Sequence, residues 1–191
     1  MNPAPPPSPD KRALRARLRA ARDAFVAGGP PPIAPPAAYL ARLRPGLVVA
    51  SYLPLGSEAD PALLARAAVE AGCMLALPRM TTREAPIAFH AVAEGDAIET
   101  GPFGLLQPHA DAPLVRPDII LVPLVGFDGA CNRLGQGAGH YDRALACLPD
   151  AWPLGVAWDV QRVAALPVDP WDRPLAGIVT ETGFLERTPP P

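Results

Sequence analysis

Apolar residues fall in helical spacing at the start of this chain and in short β-branched bursts further along. Between residues 11 and 27, Leu14, Leu18 and Phe25 recur on one face, and Lys11, Arg15 and Arg22 form a neighbouring basic row. That is the pattern of an amphipathic helix with a solvated basic face over a docked apolar stripe. Ser8 or Asp10 can cap it, Pro9 suits its first turn, and Gly28-Gly29-Pro30 ends it. Residues 47–53 read as a buried strand broken by Pro54-Leu55-Gly56. Asp60-Pro61 opens a helix through Ala71, Gly72 stops it, and residues 73–77 form a strand closed by Pro78. Strand, helix and strand with short connections predict a parallel pair. Residues 87–92 alternate weakly, as a further strand. Ile119-Ile120-Leu121-Val122 is long enough for a buried strand and too short for a helix, and Pro123, with no N–H to donate, is expected to end it. Residues 154–157 and 175–180 complete the strands, and Phe184-Leu185 is expected to tie down the end. The alternation predicts a three-layer α/β/α domain with a mostly parallel sheet between helices.

At 191 residues the chain is read as one domain over 11–186, between a proline-rich tail at 1–10 and a proline tail at 187–191. Much of its content of 28 prolines lies near the termini and around residues 30–36. A chain of this size buries roughly 70% of its unfolded surface, so no disulfide or metal is needed for folding. Cys73, Cys131 and Cys147 are odd in number and share no close spacing, so no zinc site or disulfide framework follows from them, and a reducing compartment is expected. The start has no apolar core for a signal peptide and no run reaches transmembrane length, so a cytoplasmic protein without a membrane partner is expected. Residues 1–44 carry a balance of +6 and the remainder −8. A small basic segment on an acidic body suits a polyanionic small molecule better than a nucleic acid.

The chemistry is concentrated after Val122. Gly126, Gly129, Gly135, Gly137 and Gly139 fill a loop, Arg133 stands just before the last three, and residues 140–146 read as a helix start. Strand, glycine loop and helix make an anion cradle, because glycine lets backbone N–H groups approach closely and a helix N-terminus adds partial positive charge. Arg133 can add a bidentate fork. The spacing is not the dinucleotide fingerprint, since His140 stands where its third glycine belongs, and no Gly-Lys-Ser/Thr ending makes it a P-loop. Asp142 beside such a cradle fits a cation between carboxylate and phosphate, as Mg²⁺ binds. A glycine-rich turn with an incidental aspartate at the helix start fits the same residues.

Asn132-Arg133-Leu134-Gly135-x-Gly137-x-Gly139-x-Tyr141-Asp142-Arg143, after a strand ending in proline, resembles the signature of the 5-formyltetrahydrofolate cyclo-ligase family. The likeness runs from Lys11 to about Thr180. Lys11-x-x-x-Arg15 matches the family's cationic contacts to ATP, and Glu58 matches a glutamate associated with the folate. Phe103, in Phe103-Gly104-Leu105-Leu106-Gln107-Pro108, stands where the family has Tyr or Trp, an aromatic face able to stack on a pterin; a plain core phenylalanine fits it equally. Asp172 matches an aspartate at the metal. Arg79 resembles a family Pro-Arg pair but reads as a surface arginine. Three departures stand out: His140 replaces Tyr or Phe, Ala138 replaces Lys or Gly, and Leu175-Ala176 stands where Val-Asp is frequent.

The resemblance implies a sheet topology like that of sugar-phosphate isomerases and CoA transferases. It also implies conversion of 5-formyltetrahydrofolate and ATP to 5,10-methenyltetrahydrofolate, ADP and phosphate, through a phosphorylated formyl group. ATP would lie on Lys11, Arg15, Arg133, Leu134, Gly135, Gln136, Gly137, Ala138, Gly139, His140 and Tyr141. Arg133 and Asp142 would be catalytic, Asp142 and Asp172 would hold Mg²⁺, and Leu53, Glu58 and Phe103 would line the folate site. His140 is expected to be neutral and Cys131 a bystander. The expected partners are the two small substrates, on a monomer or weak dimer. The alternatives are a folate- or nucleotide-binding paralogue without turnover and a sugar-phosphate isomerase of the same fold class.

Overall fold

A computed structural model describes residues 9–82, 85–169 and 171–188. The chain runs through helix α1 (Pro9–Ala27), the short α2 (Ala37–Leu40), strand β1 (Val48–Ala50), α3 (Ala62–Glu70), β2 (Met74–Arg79) and β3 (Ala88–Val92). Three short strands follow, β4 (Ile98–Thr100), β5 (Leu106–Pro108) and β6 (Leu114–Val115), and then the central β7 (Ile119–Pro123). The remainder is β8 (Gly126–Phe127), β9 (Arg133–Leu134), α4 (His140–Cys147), β10 (Trp152–Val156), β11 (Gly177–Thr180) and β12 (Gly183–Glu186).

Eight strands form one sheet in the order β12-β11-β10-β7-β1-β2-β3-β6. The five from β11 to β2 are mutually parallel, and antiparallel strands finish both edges. The β1–α3–β2 crossover gives the parallel pair that the pattern predicts. Ile119 to Val122 are all buried, as a strand covered on both faces requires. Ile119 and Leu121 face a core with Tyr39, Leu64 and Ala68 under α1, α2 and α3. Ile120 and Val122 face the other core, with Ala144 and Leu145 of α4. These are the three layers of an α/β sandwich. Among the described residues, no helix is long and apolar enough to cross a membrane.

Several boundaries differ from the sequence expectation. α1 starts at Pro9, so Asp10 lies in its first turn rather than before it; Ser8 and the tails at 1–8 and 189–191 lie outside the described residues. The first strand covers only residues 48–50, and its neighbours β2 and β7 run on past its last register. Pro78 does not stop its strand, which runs on to Arg79, whereas β7 ends at Pro123 as expected. Both lie past the last β1 register, Ala50 against Ala76 and Ile120, where no N–H is needed on that side. The pairs β4–β5 and β8–β9 and the edge strand β12 were not expected as strands, being two to four residues long and defined by their partners.

Candidate active site

The carboxyl ends of the parallel strands face one end of the sheet, where loops in such folds gather ligands. The loop after β7 does not pass directly to α4. It first makes the β8–β9 hairpin, which delivers Arg133 to the mouth of the glycine loop. That hairpin turns on Asp128, a carboxylate only 4% exposed. Its Oδ1 accepts from the N–H groups of Ala130 (3.0 Å) and Asn132 (3.1 Å), and its Oδ2 from Asn132 Nδ2 (3.0 Å) and Leu166 N (3.0 Å). Four donors onto one buried carboxylate fix the backbone that leads into Arg133.

Beyond it, the glycines allow close approach. A Cβ at Gly135 would come within 2.9 Å of Arg133 Nη1, and Gly137 has φ +109° with its Cα side against the Arg15 guanidinium. Arg15 Nε donates to Gly135 O at 2.8 Å. Burial and the charge of Arg19 lower the Arg15 pKa, Asp172 opposing them, but an arginine stays protonated. Arg133 Nη2 donates to Asp142 Oδ1 at 2.5 Å, its guanidinium carbon lies 5.9 Å from the Tyr141 ring centre, and among the described residues its buried Nε has no hydrogen-bond partner. α4 opens at Gly139 with Asp142 in its first turn.

Lys11 is buried at the start of α1, with Nζ 2.6 Å from Asp169 Oδ2 and 2.7 Å from Asp172 Oδ2. Burial alone would lower its pKa. Hydrogen bonds and charge from the two aspartates outweigh that and raise it, so the ammonium form is held throughout the neutral range. Arg22 does not lie on a solvated face: it is buried, and its Nε donates to Ser57 Oγ at 2.9 Å. Ser57 Oγ in turn donates to Asp23, and the Ser57 carbonyl accepts from Trp158 Nε1 at 3.1 Å. α1 thereby pins the loop that carries Glu58.

Glu58 stands across from the glycine loop. Its Oε2 accepts from Leu55 N at 3.1 Å and its Oε1 from Gln136 Nε2 at 2.8 Å. Tyr52 and Tyr141 share this environment. Burial pushes the Tyr52 phenol well above its ordinary value, with Glu58, Tyr141 and Asp60 adding and Arg22 pulling back. Burial raises Tyr141 as well, with Glu58 adding and Arg133 opposing. Both phenols are therefore neutral hydrogen-bonding groups across any working pH. Leu53 is part exposed beside them. His140 Nδ1 lies 3.1 Å from Arg143 Nη2, and since a guanidinium only donates, Nδ1 is placed to accept.

The expected residues thus divide into a glycine-loop group around Arg15, Arg133, Asp142 and the glycines, a Lys11–Asp172 group at the foot of α1, and a Glu58 group opposite the loop. The Phe103 side chain lies outside the described set. Sequence reasoning passed over Asp169, Arg19 and Asp128, whose roles come from partners far along the chain. Arg79 is a correction: it is not a surface arginine, since Nη1 pairs with Glu99 (2.5 Å) and donates to Pro108 O (2.5 Å), stapling the β4–β5 pair to β2. Among the described residues there is no group of three His, Cys, Asp or Glu side chains placed for a metal. The donor chemistry still suits Mg²⁺, which needs one or two carboxylates once phosphate oxygens and water supply the rest. Asp142 and Asp172 offer those, each beside a cation that a phosphate can take over.

The 5-formyltetrahydrofolate cyclo-ligase family profile matches residues 7–181. The chain is 44% identical over 80 residues to the 5-formyltetrahydrofolate cyclo-ligase of Escherichia coli strain K12, covering 39% of this chain and 42% of that protein. It is 29% identical over 144 residues to the enzyme of that name from Mycolicibacterium smegmatis, covering 71% of this chain and 74% of the other. The chain therefore spans about two-fifths of the length of the E. coli relative and about three-quarters of the mycobacterial one. Its fold is similar to the solution structure of Aquifex aeolicus 5,10-methenyltetrahydrofolate synthetase, with TM-score 0.68, 26% identity, and 95% and 94% of the two chains covered.

Replacing Asp128 by Ala should lower stability by about 2–3 kcal/mol, since it takes the acceptor from the N–H groups of Ala130, Asn132 and the buried Leu166. Urea unfolding with an unchanged m-value checks this; an unaltered midpoint would show that water or neighbouring carbonyls replace the carboxylate.

Proposed function

This chain belongs to the 5-formyltetrahydrofolate cyclo-ligase family, and on that premise we propose that it catalyses the ATP- and Mg²⁺-dependent conversion of 5-formyltetrahydrofolate to 5,10-methenyltetrahydrofolate, with release of ADP and phosphate. The observation that carries the proposal is the convergence of Arg15 and Arg133 on the glycine loop, one from the first helix and one from the β8–β9 hairpin. Two guanidinium groups and a row of backbone N–H groups suit a polyphosphate.

The chemistry asks for that arrangement. The formyl oxygen of an amide is a poor leaving group. Attack of that oxygen on the γ-phosphorus releases ADP and makes it a phosphate ester. The neighbouring amine nitrogen of the same molecule then attacks the formyl carbon and loses its proton, and phosphate departs with the oxygen. Transfer of a phosphoryl group is mostly positioning and charge stabilisation. Arg15 and the backbone from Leu134 to Tyr141 hold the triphosphate, and Arg133 faces the transferred group with its unpartnered Nε. Lys11 exchanges an aspartate for phosphate. Asp142 and Asp172 would hold Mg²⁺, which when bound neutralises charge on the phosphate oxygens. Glu58 and Leu53 would line the folate side, where the family resemblance also assigns Phe103. The chain works with small substrates in the cytoplasm, as a monomer or weak dimer.

Growth of methenyltetrahydrofolate absorbance with ATP, Mg²⁺ and 5-formyltetrahydrofolate tests the proposal. No growth with any divalent cation would contradict it and favour a paralogue that binds without turnover. Asp142→Asn should slow turnover by about a hundredfold or more, close to 3 kcal/mol of barrier, and shift the Mg²⁺ dependence while the melting temperature holds. An unaltered Mg²⁺ dependence would remove Asp142 from the metal. His140→Phe should stay within about tenfold of the parent, because losing a general acid or base costs 10²–10⁴-fold. A thousandfold loss in a well-folded His140→Phe protein would make His140 catalytic.

A further inference from the structure

The Gln136 side chain joins the two halves of the site. Its amide stands between a guanidinium and a carboxylate: Arg19 Nη2 donates to Oε1 at 2.6 Å, and Nε2 donates to Glu58 Oε1 at 2.8 Å. Only one orientation of the amide satisfies both, since Arg19 can only donate and an ionised Glu58 can only accept. Arg19 also reaches the Gln136 carbonyl at 3.4 Å. The strap is exposed, so it can open without unpacking a core. Gln136 sits within the nucleotide loop, whereas Glu58 sits in the loop opposite, between β1 and α3.

We propose that the Gln136–Glu58 bond couples the folate and nucleotide sites, and that Gln136 is the positioning residue through which each substrate favours the binding of the other. The proposal rests on the reading of Glu58 as a folate contact. A folate that takes Glu58 Oε1 must displace the Gln136 amide. A triphosphate seated on the loop backbone resets residues 135–139, with Gly137 and Gly139 both in the left-handed region on the far side of Gln136, and draws the same amide away. Both ligands therefore break one shared contact. Whichever arrives first removes it for the second, which is positive coupling by linkage. The Gln136 side chain needs no contact with either substrate for this to work.

Calorimetric Kd values for 5-formyltetrahydrofolate, with and without saturating AMP-PNP and Mg²⁺, measure the coupling directly. In the parent protein the nucleotide analogue should tighten folate binding by about fivefold or more, within the usual range for coupled sites. Gln136→Ala should bring that ratio close to one and tighten folate binding on its own. Gln136→Glu keeps the Arg19 contact but repels Glu58, and should give the same loss. Neither variant should change the melting temperature, because the side chain is exposed. Parent-like coupling in the two variants, or no coupling in the parent, would overturn the proposal. Glu58→Gln separates the two levels. Weaker folate binding in Glu58→Gln with coupling intact in the Gln136 variants would reject the strap alone. Unchanged folate binding in Glu58→Gln would reject Glu58 as a folate contact, and the strap with it.

Discussion

Positive charge survives in a folded interior only where anions or carbonyls meet it. α1 carries several such charges into the protein. Lys11 finds Asp169 and Asp172, Arg15 finds the Gly135 carbonyl, and Arg22 finds Ser57. Each partner lies on a different loop, and the three loops are those that flank the carboxyl ends of the central strands. The first helix therefore acts as a charged spine. Its apolar stripe docks Leu18 against Val125, Leu134 and Leu166 and Phe25 against Trp158, and its cations arrange the loops. The rest of the site is built on that arrangement.

The site's charges are already matched against each other. Asp142 faces Arg133, the two C-terminal aspartates face Lys11, and Glu58 faces Arg19 through the Gln136 amide. This makes chemical sense for a polyanionic substrate that arrives with a divalent cation. A phosphate can take over Lys11 and Arg133 while the cation takes over the carboxylates they leave. Charge is exchanged and none is stranded in a low-dielectric pocket. The neutral phenols of Tyr52 and Tyr141 add polar contacts without adding charge.

Local pattern was enough for the parts whose environment is local. The β-branched run at 119–122, the crossover from β1 to β2 and the amphipathic face of α1 follow from periodicity, and the glycine loop with Arg133 and Asp142 follows from residue type and order. What stayed hidden depends on long-range pairing. Two-residue strands such as β8 and β9 have no periodicity of their own, and Pro78 is acceptable inside its strand because β1 stops before reaching it. Arg79 looked solvated until Glu99, twenty residues on, was brought beneath it. Asp169 looked like any loop aspartate, and only the folded chain sets it beside Lys11, 158 positions away.

The central claim is that the folded chain places a γ-phosphoryl group on the formyl oxygen of the folate. Substrate labelled with ¹⁸O in the formyl group tests this most directly, by mass analysis of the phosphate released in one turnover with ATP and Mg²⁺. The account predicts one ¹⁸O atom in each phosphate, because the oxygen leaves carbon only as part of that phosphate. Unlabelled phosphate alongside normal formation of methenyltetrahydrofolate would contradict it.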